Sequence, residues 1–114
     1  MNFPDKAVVV ANNKDELFDL MLFFDHHNKA WPSGRPCMEV ANSIWNNKNV
    51  RNKGDATAIN LVNGSPDGYC WVDYYRRGGS RYLSGDPEWD FISVADFISK
   101  IDNSISQLSI EGLL

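Results

Sequence analysis

Apolar positions along this chain fall into blocks of two different periods. Lys6 to Ala11 (KAVVVA) is a short β-branched run closed by Asn12-Asn13, which predicts a buried first strand and a turn. Beyond it Leu17, Leu20, Met21 and Phe24 recur at i, i+3, i+4 and i+7, and Asn13 stands three residues before Glu16, the spacing of a capping box. A helix from about Lys14 to His27 follows. Phe18, Leu22 and Phe23 widen its apolar stripe beyond what a two-layer domain buries, which makes one of them a candidate interface residue.

Lys29 to Pro36 holds two prolines and a glycine, so it reads as a loop, with Pro36 suited to the first turn of a second helix. Cys37, Val40, Ala41, Ile44 and Trp45 then keep helical spacing and predict a short helix ending near Asn46. Asn46 to Gly54 has no apolar period and four asparagines, which predicts an exposed, mobile loop.

The second half reads as strands. Thr57 to Val62 and Tyr69 to Tyr75 flank the turn-rich stretch Asn63 to Gly68 and predict a hairpin. After Arg76-Arg77-Gly78-Gly79, Ser80 to Leu83 reads as a returning strand, and Glu88 to Ile92 as a last edge strand. Ser93 with Asp96 is again a capping pattern, and Val94, Phe97, Ile98 and Ile101 predict a closing helix to about Asp102. The tail, residues 103–114, is expected to extend that helix or to contact another subunit. Strands that follow one another without long helices between them argue the α+β class: an antiparallel sheet of four to five strands with two to three helices on one face.

With 114 residues the chain is expected to be a single domain, residues 1–114, large enough for one ordinary core. At 43% apolar and 12% aromatic, with a net charge of −4, it is not a disordered composition. No apolar run exceeds the five residues of Leu20 to Phe24, whereas a membrane span needs about twenty. Residues Met1 to Asp5 lack the pattern of a signal peptide, so a cytoplasmic location is expected. Cys37 and Cys70 read as reduced, buried thiols. The competing reading is a dipole-stabilised thiolate at Cys37, which follows Pro36 at a helix start, with no base identified next to it. Adjacent His26 and His27 point about 100° apart on a helix and cannot chelate as an i, i+4 pair, so no metal and no cofactor is expected.

Catalytic signatures are missing: the sequence holds no GxxxxGK[ST], GxGxxG or HExxH, and both histidines lie near the end of one helix. A non-enzyme is therefore expected. Binding chemistry is better supplied. Arg76, Arg77 and Arg81 surround a Gly-Gly turn beside Tyr74, Tyr75 and Tyr82, joining forked guanidinium donors to stacking faces, a combination suited to a planar anion such as a nucleotide. The competing reading is a solvated hairpin tip whose arginines pair with nearby acids. Lys48, Arg51 and Lys53 form a second basic stretch, yet the net negative charge argues against long nucleic acid as the partner. Trp45 and Trp71 read as core. Trp31 and Trp89 are better placed for partial exposure, and Trp31 joins the tyrosines as a candidate for stacking a base.

The stretch Asp15 to Leu20 running to Lys29-Ala30-Trp31-Pro32-Ser33-Gly34, with the later Trp45 and the closing Asp96-Phe97-Ile98 helix, resembles a pattern of small uncharacterised bacteriophage proteins. The resemblance implies a phage or prophage accessory protein of the counter-defence kind, acting by stoichiometric binding in the host cytoplasm. It assigns no functional residue. Joined to the basic-aromatic cluster, it leads to the expectation of a homo-oligomeric protein that sequesters a small nucleotide-derived immune signal. The alternative is an inhibitor of a host protein that presents the acids Asp86, Glu88 and Asp90, with Trp89 as anchor.

Overall fold

In the computed structural model Lys6–Ala11 forms β1, Thr57–Val62 β2, Ser65–Cys70 β3 and Asp90–Ser93 β4, and the four make one sheet in the order β3-β2-β1-β4. The structure describes residues 3–54, 56–72, 74 and 90–102. β1 and β2 pair antiparallel with Val9 opposite Ile59, and β2 and β3 pair antiparallel with Ile59 opposite Tyr69. β4 runs parallel to β1, with Val9 opposite Ile92. The sheet is therefore mixed, which corrects the expected antiparallel arrangement. A parallel neighbour needs a long crossover rather than a hairpin, and residues 71–89 make that connection from one edge of the sheet to the other. Short apolar runs carry no information about direction, so the sequence pattern alone did not distinguish the two.

Among the described residues the sheet is accompanied by α1 (Lys14–His26), α2 (Cys37–Trp45), α3 (Lys48–Arg51) and α4, residues 94–102. α1 starts where its capping box directs. The Asn13 side chain accepts from the Glu16 N–H at 2.9 Å, and the Glu16 carboxylate reaches back to the Asn12 N–H at 3.2 Å. α4 is capped by Ser93, whose hydroxyl accepts from the Asp96 N–H at 3.1 Å. Leu17, Leu20, Met21 and Phe24 of α1, Ala41 and Ile44 of α2, and Phe97 and Ile101 of α4 are buried with Ala7, Val9, Ile59 and Leu61 of the sheet. Phe3, just ahead of β1, is buried in the same core, edge-on to Phe97 at 5.4 Å. Because side chains alternate along a strand, Val8 and Ala58 face the other side. There they are fully buried, with Cys70, Val72 and Tyr74 packed against them, so the chain leaving β3 folds back over that face.

The hairpin is tighter than its sequence suggests. β3 begins at Ser65, not at Tyr69, and Asn63-Gly64 alone makes the turn, both with positive φ (53° and 77°), the type I′ geometry that matches strand twist. Pro66 is tolerated because β3 is an edge strand and Asp67 is an extra residue in a bulge: Leu61 faces Pro66 while Asn60 faces Gly68. Asn46 to Gly54 is not an unstructured loop either. The Asn47 side chain accepts from the N–H groups of Asn49 and Val50, which starts α3, and Val50 is buried beneath it. A helix of four residues is too short to show a period, which is why the pattern missed it. The expected strand Ser80 to Leu83 and the tail 103–114 lie outside the described residues.

Candidate functional site

Of the residues expected to bind an anion, Tyr74 and Trp31 are described, while Arg76, Arg77, Arg81, Tyr75 and Tyr82 lie outside the described residues. The fold does not bring Trp31 and Tyr74 together. Trp31 is half-buried on the helical side, where its ring meets Tyr69 at 6.2 Å and packs against the main core. Its backbone closes a turn, the Gly34 N–H donating to the Trp31 carbonyl at 2.7 Å. Tyr74 packs on Val8 and Ala58, across the sheet.

Tyr74 lies in helical backbone just after β3, where its N–H donates to the Trp71 carbonyl at 3.2 Å, and the two rings meet edge to face with centroids 5.4 Å apart. Trp71 is thus not a strand residue alternating with Tyr69, since β3 ends at Cys70. Both rings are half-buried. The ammonium of Lys53, an exposed residue after α3, lies 5.4 Å from the centre of the Trp71 ring. Sequence position gave no hint of this, since residues 53 and 71 are separated by the whole β2–β3 hairpin. The other cations of that stretch are differently placed. The Arg51 guanidinium lies over Trp45 at 3.6 Å and donates to the Thr57 hydroxyl, pinning α3 to α2 and β2, while Lys48 is exposed.

A second polar feature joins α1 to α2. Pro36 is the N-cap of α2 and has no side-chain acceptor, so the helix takes its cap from another element: the Asp25 carboxylate accepts from the Cys37 N–H at 2.7 Å and from the Met38 N–H at 3.0 Å. The sequence gave no sign of this contact because it joins residues 12 and 13 positions apart. It also removes the stabilised-thiolate reading of Cys37. Burial, then the neighbouring Asp25 charge and its hydrogen bond, push that thiol up to about 12, the opposite of activation. The Cys37 thiol instead donates to the Lys29 carbonyl at 3.4 Å. Burial also raises the half-buried Cys70 thiol, which lies on the other side of the sheet. Beside Asp25 an open cleft of about 380 Å³ is bordered by Asn28, Lys29, Ala30, Gly34 and Pro36. Lys29 there lies over the Phe3 ring at 5.0 Å.

Among the described residues no three His, Cys, Asp or Glu side chains converge to hold a metal ion. His27, the C-cap of α1, lies tilted against Phe23 with ring centroids 4.4 Å apart, while His26 is exposed. No described helix is long and apolar enough to cross a membrane. Of the acids considered for an inhibitory surface, Asp90 opens β4, and Asp86, Glu88 and Trp89 lie outside the described residues. No family model, curated protein or solved structure matches the chain.

Proposed function

We propose that the chain is a non-catalytic binding protein that sequesters a small anionic ligand, a nucleotide-derived immune signal, in the cytoplasm of a phage-infected host. The observation that supports this reading is the Trp71–Tyr74 pair. It is a half-buried aromatic corner on the sheet face away from the core helices, two residues ahead of Arg76-Arg77 in the chain. In this reading Arg76, Arg77 and Arg81 hold phosphate oxygens through their forked donors, and Tyr74, Tyr75 or Tyr82 stacks the base. Trp31, packed on the helical side, has no part in it.

The test is a thermal-shift screen against linear and cyclic nucleotides and nucleotide sugars, with the Arg76→Ala, Arg77→Ala double variant alongside. A ligand at about 100 times its Kd adds roughly 2.7 kcal/mol, several degrees of Tm for a domain of this size. A shift that the double variant loses supports the reading; no shift with any nucleotide refutes it.

The same proposal includes a homo-oligomer, supported by two exposed apolar side chains, Leu22 at 46% on α1 and Phe91 at 38% on β4. Light scattering during size-exclusion chromatography is expected to give more than one chain, and a clean monomer refutes that part. The inhibitor reading draws on β4, an edge strand among the described residues that opens at Asp90, the one acid of the three that is described, with Phe91 exposed beside it. An inhibitor of that kind tolerates loss of Arg76 and Arg77 and fails when Asp86, Glu88 and Asp90 are neutralised.

A further inference from the structure

The β2–β3 hairpin turns on two residues whose order carries chemistry of its own. Asn63 is exposed and is followed by Gly64, and no other asparagine of the sequence precedes a glycine. An asparagine amide is open to attack by the backbone nitrogen of the next residue, and glycine, with no Cβ, hinders that nitrogen least. The ladder ends at the Val62–Ser65 pair, so positions 63 and 64 lie beyond it. Asp67 also precedes a glycine, but Gly68 pairs with Asn60 inside the ladder.

The same turn holds the reacting atoms apart. Asn63 has a φ of 53°, in the left-handed region. In that conformation the Gly64 nitrogen lies on the far side of the Asn63 Cα from its Cβ, so the side-chain amide carbon reaches it only after rotation about the Asn63 Cα–C bond. Two features resist the rotation. One is the Val62–Ser65 pairing beneath the turn. The other is the seat of Gly64, which is buried and whose Cβ position lies 3.4 Å from the Phe3 carbonyl oxygen. Phe3 is fixed in turn by the core, stacked on Phe23 at 5.9 Å and edge-on to Phe97 at 5.4 Å.

We propose that Asn63 is a self-modification site guarded by the hairpin, converted to aspartate or isoaspartate when the turn opens. In the opened turn the Gly64 nitrogen gives its proton to a solvent base and attacks the Asn63 Cγ. The N–Cγ bond forms, the Cγ–Nδ2 bond breaks, and the amide nitrogen takes a proton from water and leaves as ammonia, closing a succinimide. Water then opens the ring at one of its two carbonyls. Attack at Cγ restores the ordinary backbone with an aspartate at position 63. Attack at the backbone carbonyl leaves an isoaspartate, whose main chain runs through Cβ and Cγ. Aspartate before glycine suits the same type I′ turn, so the first product keeps the hairpin. The second adds a backbone carbon to a turn built for two residues, and the Val62–Ser65 pair and the seat of Gly64 on Phe3 are lost with it. Because ammonia is released, the change runs one way.

The test holds the full chain at pH 8, native and unfolded in guanidinium chloride, and follows intact mass and the tryptic peptide that spans the hairpin, with the Asn63→Asp variant alongside. The unfolded chain is expected to gain a single mass unit at Asn63 ahead of every other asparagine. The native protein is expected to gain it more slowly by about tenfold or more, since only the opened fraction reacts. The converted peptide is expected to separate into two forms, one eluting with the Asn63→Asp peptide and one labelled by an isoaspartyl methyltransferase. After refolding, the isoaspartyl fraction is expected to unfold at a lower urea midpoint than Asn63→Asp. Unfolded chain that shows no preference for Asn63 overturns the site. Native protein converting as fast as unfolded chain overturns the guard, and an isoaspartyl fraction as stable as Asn63→Asp overturns the effect on the hairpin.

Discussion

Asp25 is the side chain whose removal has the most calculable consequence. Its two oxygens take the first two N–H groups of α2 at 2.7 and 3.0 Å, a cap supplied by a neighbouring helix because Pro36 cannot supply one. Losing a side-chain cap costs about 1 kcal/mol, up to about 2, and losing a negative charge at a helix N-terminus costs roughly 0.3–1 kcal/mol more. Asp25→Ala is thus expected to cost about 2 kcal/mol, which for a domain of this size lowers Tm by roughly 6–10 °C. Asp25→Asn keeps one acceptor and loses the charge, so its cost falls in between. Because alanine favours a helix interior over aspartate by up to about 0.7 kcal/mol, the comparison is with Asp19→Ala, an exposed position of the same helix. The assay is thermal and urea unfolding followed at 222 nm. An Asp25→Ala effect no larger than that of Asp19→Ala refutes the reasoning. The same variant frees the Cys37 thiol from two of the three causes that raise it, the Asp25 charge and its hydrogen bond, so alkylation of Cys37 by iodoacetamide is expected to quicken.

Cys37 gives a pH prediction with a definite sign. Its thiol rises from 9.0 unfolded to about 12 folded, so between those values the unfolded chain releases a proton that the native protein keeps. The contribution is full below pH 9 and is lost as pH rises toward 12; urea titrations at pH 8, 9 and 10 are expected to show a steeper alkaline loss for the parent than for Cys37→Ala. Gly64 has φ of 77°, and a Cβ there sits 3.4 Å from the Phe3 carbonyl oxygen. Gly64→Ala is therefore expected to cost about 1–2 kcal/mol, read as a lower urea midpoint at unchanged slope; a neutral substitution contradicts the turn assignment.

How much of this was legible depended on range. β1, α1 and the caps at Asn13 and Ser93 are local features, written in strings of a few residues, and they stand where the sequence put them. The hairpin was legible in kind but not in extent, because Pro66 looked like a turn residue until the Asp67 bulge gave it a place on an edge strand. The direction of β4 was not legible, since the four residues of the strand carry no sign of whether they run parallel or antiparallel to β1. The Asp25 cap and the Lys53–Trp71 contact are purely tertiary: each joins groups far apart in the chain with no shared motif. For the candidate site, the sequence supplied residue types, and among the described residues the fold separates Trp31 from Tyr74 and sets Lys53 against Trp71.

The central claim is that the chain holds a small nucleotide without changing it. Equilibrium dialysis of the purified protein against a nucleotide mixture, followed by heat denaturation and chromatography of what is released, tests this directly. Stoichiometric recovery of one intact nucleotide, lost with Arg76→Ala, Arg77→Ala, is the predicted result. Recovery of a cleaved or rearranged product, or of no nucleotide at all, contradicts the account.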